Sequence, residues 1–169
     1  MENENAPVKP IALNHGLYYA IFSIAVVVIL YALKMQQNLA IGIINVLGTV
    51  GIFVLAIIAY KKSNDDQLTL GQAIKVGLAT AAIGGLIVAI YTYIHYTYLQ
   101  PEFIEAIREK ALEDMYRQNP DLTSEQVESA QGMMNIFTSA GFIGTVSIIG
   151  SLIYGLVVSL IAGLVLKSE

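Results

Sequence analysis

The chain has 169 residues, of which 56% are hydrophobic and only 13% are charged, and its formal net charge is −4. With a mean hydropathy of +0.64, it departs from soluble domains, in which about a quarter of the residues are charged, and it indicates a membrane protein. The absence of cysteine excludes disulfides, thiolate catalysis and cysteine-ligated metals, and the acidic balance argues against a nucleic acid as a partner.

The charged residues are separated by long uncharged runs, and each run is long enough to cross a bilayer, whose hydrocarbon core needs about 20 helical residues. These runs predict four transmembrane helices at about residues 13–33, 39–60, 72–99 and 136–166. None of them alternates in polarity as the strands of a membrane barrel do. We therefore expect an all-α integral membrane protein, a single membrane domain over residues 1–169, with an amphipathic extramembrane helical segment at residues 101–132, between spans 3 and 4.

The first half of the chain predicts a helical hairpin. The first span lacks the basic start and the small-residue cleavage site of a secretory signal, so we interpret it as uncleaved. The polar break at residues 34–38 is short enough to bring the second span back beside the first. Asn45, Gly48 and Gly51 in the second span favour close helix contact in lipid. Thr69 is placed to cap the third helix.

Small residues recur at every fourth position in the third and fourth spans. They are Ala73, Gly77, Ala81, Gly85 and Ala89 in the third span, and Ser147, Ser151, Gly155, Ser159 and Gly163 in the fourth. Helices in lipid associate by close van der Waals approach rather than by hydrophobic burial, so we expect both stripes to be helix-packing faces. The alternative is that the serines line a polar path.

Polar-tipped side chains lie near both ends of the third span. Lys75 is expected to extend its flexible stem to the headgroups, with a substrate site as the alternative. Tyr91, His95 and Tyr98 share a helix face and predict an interfacial aromatic belt, with a metal or proton site as the alternative. No Asp or Glu lies inside a span, which weakens proton-coupled transport. We expect no metal and no cofactor.

The extramembrane segment at 101–132 carries most of the negative charge. Its first part shows apolar residues at helical spacing with acids between them, and this pattern predicts an amphipathic helix that is solvated or docks another protein. A divalent-cation site among the acids is the alternative, but no calcium-loop spacing occurs. Asn119 and Pro120 end this helix.

A second short helix is predicted after that break. Thr123 and Gln126 have the spacing of a capping box, which predicts a helix from Ser124 to about Gln131. Gly132 then separates this helix from the return into the membrane.

Four runs of residues resemble those of a known protein family. They are LGQAIKVG at 70–77, YTYLQPEF at 96–103, SEQVE at 124–128 and GSLIYGLVVSLI at 150–161. Together they resemble a family of small four-span bacterial membrane proteins that carry a domain of unknown function and occur mainly in Bacteroidota. The resemblance implies a bacterial inner membrane and supplies no catalytic residues.

Four spans place both termini and the loop at 61–70 on one side, with five basic residues against four on the other side. The positive-inside rule then predicts cytoplasmic termini.

The serines of the fourth span have no histidine or acid nearby in sequence, so we expect no enzyme.

The leading functional hypothesis is a protein that acts by helix association in the lipid bilayer, either as a homo-oligomer or as an accessory subunit of a membrane complex. Its partner is then a second copy or another membrane protein. The alternative is a passive pore or carrier for a small solute or ion, in which Asn45, Ser151 and Ser159 face a polar path.

Overall fold

A computed structural model of the chain describes residues 6–35 and 39–168. The regular structure in these residues is helical throughout, which confirms the predicted all-α fold. The helices are α1 (Val8–Ala32), α2 (Leu39–Ser63), α3 (Leu70–Ile94), α4 (Pro101–Gln118), α5 (Ser124–Phe137) and α6 (Ala140–Leu166), and a π-helical turn (His95–Leu99) follows α3. Four of them, α1, α2, α6 and α3 with its π turn, are long and apolar enough to cross a membrane.

The first two spans form the helices that the hydrophobic runs predict. α1 begins at Val8, earlier than expected, because Pro7 and Pro10 lie at or within the first turn, where a missing backbone N–H breaks no helical hydrogen bond. Lys34 follows α1 with a positive φ of 54°, which turns the chain out of the helix. The remainder of the predicted polar break, residues 36–38, lies outside the described residues.

The helix caps at the third and fifth helices follow the sequence signals. Thr69 Oγ1 accepts a hydrogen bond from Gln72 N at 3.2 Å, and α3 begins directly after it. Thr123 and Gln126 form the predicted capping box at the start of α5. Both caps satisfy backbone N–H groups that the first turn of a helix leaves without partners.

α5 is longer than predicted, and the expected stop at Gly132 is wrong. The helix continues to Phe137, because one glycine inside a helix costs only about 1 kcal/mol. The break comes instead at Thr138 and Ser139. Thr138 Oγ1 donates to Met134 O at 2.7 Å, and Ser139 Oγ caps α6 by accepting from a backbone N–H, so the fourth span begins at Ala140 rather than at 136.

The described structure contains two compact units, and α3 and α6 each run through both. The first unit comprises Met1–Val88 with Ile148–Glu169, and the second comprises Ala89–Ser147. In the second unit, α4 turns Ile104 inward, and the Phe103 ring stacks on Tyr96 with the ring centroids 5.1 Å apart. This contact fixes the apolar side of α4 against the π turn.

The loop between α2 and α3 binds the first and last described residues within the first unit. Asn64 Oδ1 accepts a hydrogen bond from Ala6 N at 2.8 Å, and the backbone of Leu68 pairs with Ser168. Lys61 Nζ donates to Leu166 O at 2.8 Å, at the helix terminus where a cation is favoured. The loop, Ala6 and Ser168 therefore lie at the same end of this unit, as a four-span topology requires.

Candidate functional site

The two small-residue stripes lie against each other in the first unit. α3 and α6 run antiparallel, so a step of four residues forward on α3 corresponds to a step of four residues back on α6. The contacting pairs are Ala73 with Gly163, Gly77 with Ser159, Ala81 with Gly155 and Gly85 with Ser151. We call this contact the α3–α6 seam. Each pair joins two small residues, which is what permits close backbone approach in lipid.

Two glycines of the seam have no room for a side chain. A Cβ added at Gly77 would overlap the Ser159 side chain and lie 3.0 Å from Gly155 O. A Cβ added at Gly155 would lie 2.7 Å from the Ala81 Cβ and 2.9 Å from a ring carbon of Phe53. The backbones of α3 and α6 therefore meet at a distance that only glycine allows at these positions.

An aromatic cluster joins the seam to the first two helices. The Phe53 ring of α2 makes edge contacts with Tyr19 of α1, at a centroid distance of 5.4 Å, and with Tyr154 of α6, at 6.0 Å. The hydroxyls of this cluster are also paired, because Tyr19 OH lies 2.8 Å from Ser151 Oγ and Tyr154 OH donates to Val46 O at 3.0 Å. The cluster thereby connects α1, α2 and α6.

The serines that were candidates for a polar path take part in the packing. Ser159 is fully buried and donates to Leu156 O at 3.1 Å, and Ser151 contacts Gly85 and Tyr19. Asn45, the third candidate, lies half-buried on α2. This placement of the serines favours a role in helix contact over a role in lining a path.

His95 is buried in the second unit, with 1% of its surface exposed. Its Nδ1 lies 3.2 Å from Tyr91 OH and its Nε2 lies 3.2 Å from Gln100 Oε1. An amide oxygen only accepts hydrogen bonds, so Nε2 is the donor in its contact with Gln100. The ring is therefore held at both nitrogens by its own chain.

The π turn is what brings Gln100 to His95. Gln100 N donates to His95 O, five residues earlier, at 2.8 Å, directly before Pro101. Single π turns of this kind occur often at functional positions. The spacing of the sequence identified Tyr91 and His95, but it missed Gln100. The proline after Gln100, which interrupts the helical hydrogen-bond pattern, was the available signal.

We call His95 with Tyr91 and Gln100 the His95 cluster. The remaining candidates on these helices are not part of it. Lys75 is exposed about one turn into α3, and Tyr98 is 71% exposed. Ser147 Oγ donates to Gly144 O at 2.7 Å in the second unit. No group of three His, Asp or Glu side chains among the described residues is placed to hold a metal ion.

α4 presents its carboxylates to solvent. Glu102, Glu105, Glu109 and Glu113 are all exposed and follow one another at spacings of three or four residues, so they share one side of the helix. Arg117 pairs with Glu113 at 2.8 Å and approaches Asp114 at 3.8 Å. We call the side formed by Glu102, Glu105 and Glu109 the acidic face.

The chain matches, over residues 14–168, the family model described as a protein of unknown function, DUF4199. The chain belongs to the DUF4199 family. This confirms the resemblance to a family that carries a domain of unknown function. No curated protein and no solved structure matches the chain. The α3–α6 seam, the His95 cluster and the acidic face all lie inside the DUF4199 region.

The seam predicts that replacement of glycine by alanine lowers the stability at Gly77 and leaves it unchanged at Gly150. Gly77→Ala should lower the thermal midpoint of the detergent-solubilised protein, by the equivalent of about 1–3 kcal/mol, because the new methyl group overlaps Ser159. Gly150→Ala is the matched control on α6, since a Cβ there meets no atom within 4 Å. Adding Ser159→Gly to Gly77→Ala should restore part of the loss. Equal midpoints for the two single variants would contradict the seam.

Removal of one hydroxyl tests the His95 cluster. Tyr91→Phe removes the hydroxyl that contacts Nδ1 of the buried imidazole and should destabilise the protein by about 1 kcal/mol, with a shift of the His95 ring ¹⁵N resonances. Tyr98→Phe removes the same group from an exposed ring and should change neither quantity. If Tyr91→Phe left the His95 resonances in place, the hydrogen bond would be ruled out.

Proposed function

We propose that this protein is a non-catalytic accessory subunit of a membrane complex in the inner membrane of a bacterium, and that it engages its partner through the acidic face of α4. The observation that carries the proposal is the division of surfaces in the chain. The small-residue stripes contact each other within one molecule, whereas the carboxylates of α4 are exposed. The charged surface of α4 is therefore available to a partner.

The acidic face is held in place by the opposite side of its helix. Ile104 is 7% exposed and Phe103 stacks on Tyr96, so α4 has one rotational setting within the second unit. Glu102, Glu105 and Glu109 then point outward together. Complementary charge across an interface mainly supplies specificity and rapid association, which suits recognition of a basic surface on a partner protein.

A different protein fits this surface better than a second copy does. A two-fold interface pairs a surface with itself, so a homodimer formed through α4 would place like charges opposite each other. Like charges across an interface are unfavourable by several kcal/mol. The charge of α4 therefore favours an accessory subunit over the symmetric homo-oligomer, the other form of association that the stripes suggested.

The absence of an enzymatic role is part of the same proposal. A serine nucleophile needs a base within hydrogen-bond reach. Ser151 Oγ instead lies beside Tyr19 OH, and Ser159 Oγ bonds to a backbone carbonyl. These contacts support a packing role for the hydroxyls.

We place both termini in the cytoplasm and the acidic face on the outer side of the membrane. In a four-span topology, the side of the membrane that carries the termini also carries five basic residues: Lys9, Lys61, Lys62, Lys75 and Lys167. The positive-inside rule supports this orientation.

Neutralising the acidic face tests the proposed partner contact. Glu105→Gln with Glu109→Gln should reduce, severalfold, the amount of a cross-linked envelope or membrane protein recovered with a tagged copy and quantified by mass spectrometry. Glu125→Gln with Glu128→Gln makes the same charge change on exposed residues of α5 and should leave the recovery unchanged. Recovery of only the chain itself, or an equal loss for both pairs, would exclude α4 as the partner surface.

The orientation is testable because the chain contains no cysteine. A single cysteine at Glu109→Cys should react with a membrane-impermeant maleimide added to spheroplasts. A cysteine at Lys167→Cys, which is also exposed, should react only after lysis. The reverse pattern would place the termini outside.

A further inference from the structure

Arg108 lies in the acid-rich helix α4. Among the described residues, it pairs with no carboxylate. Its Nε donates to Thr138 Oγ1 at 2.7 Å, and that hydroxyl donates in turn to Met134 O at 2.7 Å. Glu105, three residues earlier on α4, points to solvent, and no carboxylate of the described residues pairs with Arg108. The guanidinium is half-buried and fixed through Nε, and its terminal nitrogens keep their donors for another group.

These donors border a small pocket between α4 and α5. The pocket has a volume of about 150 Å³ and is lined by Arg108, Leu112, Gln131, Met134 and Asn135. Arginine and two amides supply N–H donors, and the lining contains no acid. The volume lies below the roughly 300–1,000 Å³ of pockets for drug-sized ligands and suits a single compact group. A fixed guanidinium with terminal N–H groups matches the oxygens of a phosphate in particular.

The length of α6 supports a position of the pocket near the lipid headgroups. α6 has 27 residues, which corresponds to about 40 Å of helix, whereas the hydrocarbon core of a bilayer is about 30 Å thick and the bilayer with its headgroups about 40–45 Å. Thr138, the partner of Arg108, comes two residues before α6, so a bilayer centred on α6 would leave it beyond the hydrocarbon core.

The residues beside the pocket also suit an interface with lipid. Met133, Ile136 and Phe137, in the last turns of α5, are each more than half exposed. Exposed apolar side chains next to a cationic donor are what an amphipathic helix presents to a membrane surface. A free anion in solution would need no such apolar border.

We propose that Arg108, with Gln131 and Asn135, binds the phosphate of an anionic phospholipid headgroup, and that the exposed apolar residues of α5 contact its acyl chains. Thr138 is a positioning residue, because it orients the guanidinium and does not itself touch the phosphate. Arg108 lies one turn after Glu105 on α4, so the site borders the acidic face, but it does not depend on the proposed protein partner.

The test is native mass spectrometry of the full chain in a neutral detergent, with phosphatidylglycerol titrated in. Arg108→Gln should weaken the retention of phosphatidylglycerol about tenfold, as expected for the loss of charge-assisted hydrogen bonds. Arg117→Gln is the matched control. It removes the same charge from the same helix, at a side chain that is 70% exposed and paired with Glu113, and should change retention less than twofold.

A second variant guards against a folding defect in Arg108→Gln. Asn135→Asp is nearly isosteric, lies on an exposed residue and places a negative charge in the pocket, so it should weaken phosphatidylglycerol retention to a similar extent. Equal retention by Asn135→Asp and the native chain, or an equal loss for Arg108→Gln and Arg117→Gln, would overturn the site.

Two further titrations identify the source of the phosphate. Inorganic phosphate should compete with phosphatidylglycerol only weakly, and zwitterionic phosphatidylcholine should be retained less well than phosphatidylglycerol. If inorganic phosphate displaced the lipid at equal concentration, the pocket would be a soluble-anion site and the assignment to a lipid would be wrong.

Discussion

The close contact of α3 with α6 is the constraint on which the packing of the first unit depends. In lipid, burial of apolar side chains does not drive helices together, because the acyl chains are as apolar as leucine. What remains is van der Waals contact, which falls off within an ångström of the optimum distance. Gly77 and Gly155 bring the two backbones within that distance, and the small residues at every fourth position of both helices extend the contact over several turns.

The seam also determines where the larger side chains lie. Since Gly155 carries no Cβ, the Phe53 ring of α2 reaches the seam and contacts Tyr154 beside it. Tyr19 of α1 packs against the same ring, and a Cβ at Gly84 would press on this tyrosine and on the backbone of Gly16. Aromatic bulk from α1 and α2 is therefore accommodated by missing side chains on α3 and α6. The two kinds of residue form one packing arrangement.

Much of this architecture was predictable from sequence because its signals are local. A hydrophobic run of sufficient length predicts a span, a threonine followed three residues later by a glutamine predicts a cap, and a small residue at every fourth position predicts a packing face. The identity of the partner face was not predictable. Each stripe offers a groove to any neighbour, and the antiparallel pairing of Gly77 with Ser159 depends on the lengths and directions of two helices that are distant in sequence.

The sequence-based predictions failed at two helix ends, and both failures have a physical cause. The stop expected at Gly132 treated a weak helix-breaking residue as decisive, whereas the hydroxyls of Thr138 and Ser139 end one helix and begin the next. The contact of His95 with Gln100 needs a turn of five residues, and helical periodicity does not contain that spacing. In both cases side-chain hydrogen bonds near a helix end decided the local structure.

The charged residues of the extramembrane segment lie in two environments: the glutamates of α4 are exposed to solvent, and Arg108 is half-buried. An exposed ion pair on a helix is worth at most about 1 kcal/mol, so Arg108 loses little by leaving Glu105 to solvent. At the helix junction, a half-buried guanidinium that bonds to Thr138 also links α4 to the last turn of α5. The same helix can thus carry a solvated row of carboxylates on one side and an oriented cation at its inner edge. Because the two features have opposite charge, they suit different ligands.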